Sequence, residues 1–117
     1  MKFELACSLA ARLRGLAGRD AFDGVLLLAP CNDVHTFTMR RQIDIAFIAA
    51  DGTVVESLRS VSPMRRIRNR KAVAVIERHS SREWWPTAGD LLELSYSRDG
   101  RLFTWGGDDH ENMSGMQ

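Results

Sequence analysis

Short segments in which apolar residues alternate with polar ones, or run together, follow one another along most of this chain. The run GVLLLAP (24–30) is apolar between Gly24 and Pro30, which predicts a strand that is buried on both faces. The run AVAVIE (72–77) is rich in β-branched residues and predicts another strand. The segment KFELACS alternates more weakly and predicts a strand near the start of the chain.

Two segments have the pattern of β-hairpins. IDIAFIAADGTVVESLRSV (43–61) carries Asp51-Gly52 between two apolar stretches, and such residues accept the positive φ that a tight turn needs. DLLELSY and RLFTW flank Asp99-Gly100 in the same way. Strands therefore follow one another directly, which favours antiparallel pairing over a doubly wound α/β sheet.

Helical patterns are short and few. SLAARLRGL (8–16) begins with a capping serine, and its leucines recur at helical spacing. SSREWWP predicts one helical turn, because Ser80 and Glu83 have the spacing of a capping box. With about seven strands, the pattern predicts a mainly β fold, an antiparallel β-sandwich or small barrel with one or two short helices. We expect one domain over residues 1–105 and a mobile polar tail over 106–117.

Composition narrows the class of protein. Apolar residues make up 44% of the 117 residues, enough for a core, and 16 basic residues nearly balance 15 acidic ones. This balance argues against a dedicated nucleic-acid-binding or membrane-surface protein. Two cysteines and the absence of a signal-like segment favour a cytoplasmic location. The common phosphate-loop, hydrolase and zinc motifs do not occur, and we expect no cofactor.

Asp44 is the least expected polar residue, because it lies between Ile43 and Ile45 in a run that predicts a buried strand. An unpaired carboxylate would be costly there, so it must be paired, hydrogen-bonded or at a cleft. Arg40 or Arg41, on the approach to the same strand, is the expected partner. Asp44 is therefore either a structural ion pair or a carboxylate that lines a pocket.

His35 is the second candidate. The segment VHTFTM alternates, which places His35, Phe37 and Met39 on one face of a strand. The imidazole is either a satisfied histidine at the edge of the core or a ligand-binding or acid–base group. A copper site with Cys31 is disfavoured, because four-residue spacing aligns ligands in a helix and not in a strand. A nucleophilic Cys31 is also disfavoured, since a cysteine beside proline is more often a packing residue.

Two further features have ordinary interpretations. The basic run RSVSPMRRIRNRK (59–71) has no interleaved aromatic residue for base stacking and is interpreted as a solvated loop between strands. Trp84 and Trp85 are adjacent, so one is expected in the core and the other toward the surface, where it would suggest a partner or a sugar.

Four motifs together resemble a known family. RGLAGR (14–19), VHTFTMRRQIDIAFIAADGTVV (34–55), AVIE (74–77) and AGDLLEL (88–94) occur in the order and spacing of the domain of unknown function 192 (DUF192) family. The resemblance extends roughly over residues 5–94. It implies a compact, mainly β domain, an antiparallel β-sandwich or jelly-roll-like small barrel with short helices, and it implies no established reaction. The motif positions that carry over are Arg14, Gly15, His35, Met39, Arg40, Asp44 and Asp90.

The sequence leaves three hypotheses of function. The leading one is a non-catalytic binding module in which His35, Arg40 and Asp44, with the motif residue Arg14, hold a small polar ligand or a protein segment. The second is a hydrolase- or isomerase-type enzyme that uses His35 or Asp44 as a general base. The third is a structural or assembly protein. No metal, nucleic acid or membrane is expected as a partner, and the oligomeric state is open.

Overall fold

A computed structural model describes residues 2–6, 15–20, 22–96 and 102–106. These residues form nine strands and no helix: β1 Lys2–Ala6, β2 Val25–Leu28, β3 Asp33–His35, β4 Ile43–Ile48, β5 Val54–Val61, β6 Arg66–Arg68, β7 Ala74–His79, β8 Glu93–Tyr96 and β9 Leu102–Gly106. The mainly β prediction is confirmed. The expected helix over 8–16, apart from its last two residues, and the tail beyond Gly106 lie outside the described residues.

The strands form a large and a small sheet. The large sheet has the strand order β5-β4-β7-β2-β1-β9-β8, and the small sheet consists of β3 and β6. β1 and β2 are parallel, whereas the other described strand pairs are antiparallel. Among the described residues the large sheet does not close into a barrel, although a single bridge between Thr53 and Leu91 joins the approaches to its two end strands.

Both predicted hairpins are present. β4 and β5 pair across the turn at Asp51-Gly52, where Gly52 has a φ of 92° and the Asp51 carboxylate accepts the Thr53 N–H at 2.9 Å. Glycine suits this turn because the left-handed region carries no steric cost without a Cβ. β8 and β9 also pair antiparallel, and the turn between them lies outside the described residues.

β4 and β7 form the centre of the core because every residue in both strands is buried. Alternate residues pack on opposite faces: Ala46 and Ile76 belong to one apolar cluster, and Ile45 and Val75 to the other. The small sheet packs Val34 and Ile67 against the second cluster. Each face of the central strands is therefore covered by apolar side chains except where a charged residue replaces one.

Three local predictions differ from the structure. The segment 80–86 has no helical turn. The Ser80 hydroxyl donates to Asp44 instead of capping a helix. The Glu83 N–H is accepted by Ser81 and not by Ser80. β3 ends at His35, so Phe37 leaves the expected strand face and is 48% exposed instead of lying in the core. The basic run is not entirely a loop, since Arg66–Arg68 forms β6.

Candidate functional site

Asp44 lies on the central strand β4, directly opposite Arg78 of β7. On the other side of β4, the pairing with β5 shifts register between Ile43 and Ile45, which marks a β-bulge opposite Asp44. Ser60 in this bulge has a φ of 54°, a conformation that is rare outside glycine. Bulges redirect backbone and side-chain groups, and here the bulge brings Arg59 and Ser60 to the carboxylate.

Four groups bind the fully buried Asp44 carboxylate. Oδ1 accepts the Ser60 N–H and the Ser80 hydroxyl, each at 2.9 Å, and Arg59 Nε lies 3.3 Å away. Oδ2 accepts Arg78 Nε–H at 2.8 Å. Burial by itself raises the pKa of Asp44, but these hydrogen bonds and the Arg59 charge outweigh it and hold the pKa below its ordinary value. Asp44 is therefore a charged, sealed centre.

The prediction that Arg40 or Arg41 pairs with Asp44 was wrong. Arg40 is 84% exposed and its ion pair is with Asp20, at 3.9 Å, while Arg41 donates to the Asp20 carbonyl at 2.8 Å. The prediction that Asp44 must be paired is confirmed, but its cations come from β5 and β7. Proximity along the chain failed because strand register, not sequence distance, places Arg78 beside it.

The two arginines that bind Asp44 also organise the segment 80–86. Arg78 donates to the carbonyls of Glu83 and Trp84, each at 2.8 Å, and Arg59 donates to the Ser81 carbonyl at 2.7 Å. The Arg78 guanidinium also lies 4.5 Å from the centroid of the Trp85 ring, a cation–π distance. Three carbonyl groups of a segment without secondary structure are thus bonded to two arginines that share the Asp44 carboxylate.

A half-open cavity of about 370 Å³ lies beside this network, where β2 begins and β7 ends. Phe22 and Gly24 form one wall. A Cβ at Gly24 would lie 2.9 Å from the end of the Phe22 ring and would displace that ring. The cavity is lined by Phe22, Asp23, Gly24, Val25, Arg41, Arg78, His79, Ser80, Ser81 and Glu83. It combines an apolar surface with converging charged and hydroxyl groups, as ligand pockets do.

His79 is the buried polar side chain of this cavity that is not fully satisfied. Its Nε2 lies 2.8 Å from the Arg19 carbonyl, and since a carbonyl only accepts, Nε2 carries the proton in that bond. Its Nδ1 is buried and has no hydrogen-bond partner among the described residues. The sequence pattern did not indicate His79, because the β-branched run that predicts this strand ends at Glu77.

Glu77 is a buried carboxyl on the opposite face of β7 from Arg78. Burial raises its pKa to about 7, although the Leu16 N–H donates to it and lowers the pKa in part. Its Oε1 has no hydrogen-bond partner among the described residues. Gly15 packs over it with a φ of 54°, so two of the family-like motifs, RGL and AVIE, meet at this carboxyl.

Gly15→Ala is expected to destabilise the domain more than Gly18→Ala does. Both glycines have positive φ, so each alanine costs about 1 kcal/mol in backbone strain. At Gly15 the new Cβ would also lie 2.8 Å from Glu77 Oε1, whereas at Gly18 it meets nothing within 4 Å. Urea unfolding of both variants checks this, and equal losses of stability would contradict the close packing of Gly15 on Glu77.

Two further predicted site residues, His35 and Arg40, do not line the cavity. His35 stacks on Phe37, with ring centroids 5.1 Å apart, and Arg40 points into solvent. Arg14 lies outside the described residues. The Cys31 thiol donates to the Asp33 carbonyl at 3.5 Å. In the described part of the chain, no three His, Cys, Asp or Glu side chains gather closely enough to hold a metal ion.

The tryptophans and the motif aspartate Asp90 have structural contacts. Trp85 is buried as one of the pair was expected to be, whereas Trp84 is half-buried rather than exposed. Asp90 accepts the Thr87 N–H at 2.9 Å and its carbonyl accepts the Val54 N–H at 2.8 Å, so it shapes a turn. None of the described residues belongs to a helix long and apolar enough to cross a membrane.

The fold and the cavity define a small, mainly β domain with a polar recess at one end of its central strands. The DUF192 family, described as an uncharacterized ACR, matches residues 1–84, and the chain belongs to this family. The sequence resemblance is thereby confirmed. Asp44, Arg78 and Glu77 all fall within the matched region, while β8 and β9 lie beyond it.

Two solved structures share the fold. One is a protein of unknown function from Novosphingobium aromaticivorans DSM 12444, with a TM-score of 0.60 and 19% identity over 68% of this chain and 63% of that chain. The other, from Sinorhizobium meliloti 1021, is described as a "putative transcription regulator" and has a TM-score of 0.59 and 24% identity over 67% of each chain. The chain thus matches less than two thirds of the Novosphingobium protein. No curated protein matches the sequence.

Proposed function

We propose that this domain is a non-catalytic binding module that holds a small polar ligand in the cavity at the start of β2 and the end of β7. The observation that carries the proposal is the buried His79, whose Nδ1 lacks a partner and whose ring lines a cavity of about 370 Å³. An unsatisfied buried polar atom is costly. Because Nδ1 is itself shielded from solvent, a ligand that donates a hydrogen bond to it would remove that cost once the cavity wall opens around the His79 ring.

The polar groups around the cavity favour a ligand with both acceptor and donor groups. Arg41 commits one nitrogen to the Asp20 carbonyl, and a guanidinium carries five N–H donors, so others remain for a carboxylate or carbonyl. Asp23 and Glu83 are exposed carboxylates at the rim that suit an amine or hydroxyl. Phe22 supplies an apolar wall. Amino acids, hydroxy acids and amino sugars have this chemistry.

The buried network favours a supporting role for Asp44 rather than catalysis. A general base must reach the proton that it removes, whereas Asp44 is fully buried and its oxygens already bind Ser60, Ser80 and two arginines. By fixing Arg78 and the segment 80–86, Asp44 instead shapes one wall of the cavity. This arrangement supports binding over the general-base alternative.

A thermal-shift screen of amino acids, hydroxy acids and amino sugars is expected to identify stabilising ligands. A ligand at ten times its Kd stabilises the native state by about 1.4 kcal/mol, which raises the Tm of a domain of this size by roughly 5 °C. Arg41→Gln should then weaken binding of the best ligand about tenfold or more, because it removes a charge-assisted hydrogen bond.

Arg40→Gln is the matched control, since Arg40 is a neighbouring exposed arginine that does not line the cavity. Its Kd for the same ligand should equal that of the wild type. Equal weakening by both substitutions, or no ligand in the screen that raises Tm, would count against the cavity as the binding site.

A further inference from the structure

The small sheet carries a second surface that the cavity does not use. Residues 64–71 expose five cations with no acid among them: Arg65, Arg66, Arg68, Arg70 and Lys71. Two carboxylates nearby are already engaged, because Asp33 binds Arg66 through two hydrogen bonds of 2.6 and 3.1 Å and Glu56 accepts from Asn69 at 3.0 Å. The surface therefore keeps a net positive charge.

Strand register places aromatic and cationic groups on one face of the small sheet. His35 pairs with Arg66 and Asp33 pairs with Arg68, whereas Val34 and Ile67 face the core. Because side chains alternate along a strand, His35, Arg66 and Arg68 share the outer face with the single carboxylate Asp33. The basic run has no aromatic residue of its own, but β3 supplies one beside it.

Two large apolar side chains beside this face, Phe37 and Met64, are accessible to solvent. Phe37 stacks on His35 with an interplanar angle of 20° and is 48% exposed. Met64 is 71% exposed and has a φ of 68°, an uncommon conformation for a residue that is not glycine. The Met64 N–H donates to the Thr36 carbonyl at 3.1 Å, so Met64 lies beside the chain that leads to Phe37. Exposed apolar side chains that adjoin concentrated charge are typical of interaction surfaces.

We infer that the outer face of the β3–β6 sheet, with His35, Arg66 and Arg68 and the Phe37 ring stacked beside it, binds single-stranded nucleic acid. This inference revises the expectation that nucleic acid is not a partner. That expectation relied on overall charge balance and on the lack of aromatic residues within the run. The folded chain places Arg66 and Arg68 on one face and adds the His35 ring from another strand.

The chemistry favours a single strand over other polyanions. Guanidiniums bind phosphate through paired N–H donors, and bases stack on exposed aromatic rings with little regard to sequence. Arg66 holds Asp33 through Nε and Nη2, so its remaining N–H groups and the whole Arg68 guanidinium are available for phosphates. The two residues lie about 6.6 Å apart along the strand, which suits two separate phosphates. An acidic peptide would use the arginines but would not need the Phe37 ring. The exposed aromatic stack therefore favours a ligand that carries bases over an acidic peptide.

Fluorescence anisotropy tests this inference with a fluorescein-labelled oligouridylate and oligothymidylate of roughly 12 nucleotides. Both should bind, and the logarithm of affinity should fall linearly with the logarithm of salt concentration. Phe37→Ala should weaken binding about tenfold through the loss of stacking. Arg68→Gln should weaken binding and reduce the salt slope by about 0.7, the value for one phosphate contact on a single strand.

Arg82→Gln is the control for charge, because it removes an exposed arginine from the segment 80–86. It should leave affinity and salt slope unchanged, and circular dichroism and Tm confirm that every variant is folded. Absence of binding would overturn the inference. So would equal losses in Arg82→Gln and Arg68→Gln, or full affinity in Phe37→Ala. Competition by poly-glutamate or by phosphatidylglycerol vesicles at equal charge would assign the surface to an acidic peptide or a membrane instead.

Discussion

Replacing Asp44 with alanine is expected to lower the free energy of unfolding by about 3–5 kcal/mol. The buried Arg78 guanidinium would lose its counterion, and the Ser60 N–H and Ser80 hydroxyl would lose their acceptor. The free-energy cost of leaving a buried charge and its polar neighbours unpaired is large. It exceeds the net stability that the intact ion pair adds over a pair of apolar residues in the same place. Asp44→Asn keeps the size of the side chain and should remain strongly destabilised, because the charge is what Arg78 requires.

Asp33→Ala provides the matched comparison for Asp44. Asp33 also binds an arginine through two hydrogen bonds, but both partners reach solvent. Exposed pairs contribute about 0–1 kcal/mol, so this variant should lose less than about 1 kcal/mol. Urea unfolding of the three variants measures the difference. Similar losses for Asp33→Ala and Asp44→Ala would show that Asp44 is solvated and does not stabilise the core.

The stability of the domain is expected to fall as the pH rises from about 4.5 to about 8, because of Glu77. Its pKa is about 7 in the folded chain against an ordinary 4.5, so the folded state binds more protons than the unfolded state within this window. The stability that the neutral carboxyl contributes is fully present below pH 4.5 and is lost as the pH rises through 7. The full loss is on the order of 3 kcal/mol.

Glu77→Gln should remove most of this pH dependence, since the amide stays neutral and its oxygen can still accept the Leu16 N–H. Glu83→Gln changes an exposed glutamate and should keep the wild-type slope. The measurement is the free energy of unfolding in urea at several pH values from 4.5 to 8. If the free energy of unfolding of Glu77→Gln fell with pH as steeply as that of the wild type, Glu77 would not be the source of the pH dependence. Asp44 acts in the opposite direction: its pKa is lowered, so its stabilisation is lost as the pH falls below about 4.

The local pattern of apolar, polar and turn residues was sufficient to predict most of the strands. The apolar run at 24–30 and the turn at Asp51-Gly52 predict β2 and the β4–β5 hairpin because each signal lies within the element that it specifies. The burial of Asp44 could also be inferred, since Ile43 and Ile45 on either side require a buried strand. The family resemblance extended the mainly β prediction across the chain.

The partners of the buried charges could not be predicted. Arg78 is 34 residues from Asp44, and only the pairing of β4 with β7 places them together. The bulge that brings Ser60 to Asp44 has no glycine to mark it in the sequence. Glu77 follows an apolar run and resembles a strand end, yet β7 continues through His79. Two sequence features could have indicated that Glu77 is buried. It directly follows an apolar run, and the Arg-Gly-Leu motif supplies the glycine that packs against it.

Fragment soaking of crystals tests the central claim most directly, that the cavity beside the Asp44–Arg78 network is a binding site. Crystals of the domain would be soaked with small carboxylic acids, amides, amino alcohols and amino sugars. The account predicts that fragments cluster between Phe22, Arg41 and His79, with an acceptor on the Arg41 guanidinium and a contact to the His79 ring. Fragments that leave this cavity empty and gather elsewhere on the domain would contradict it.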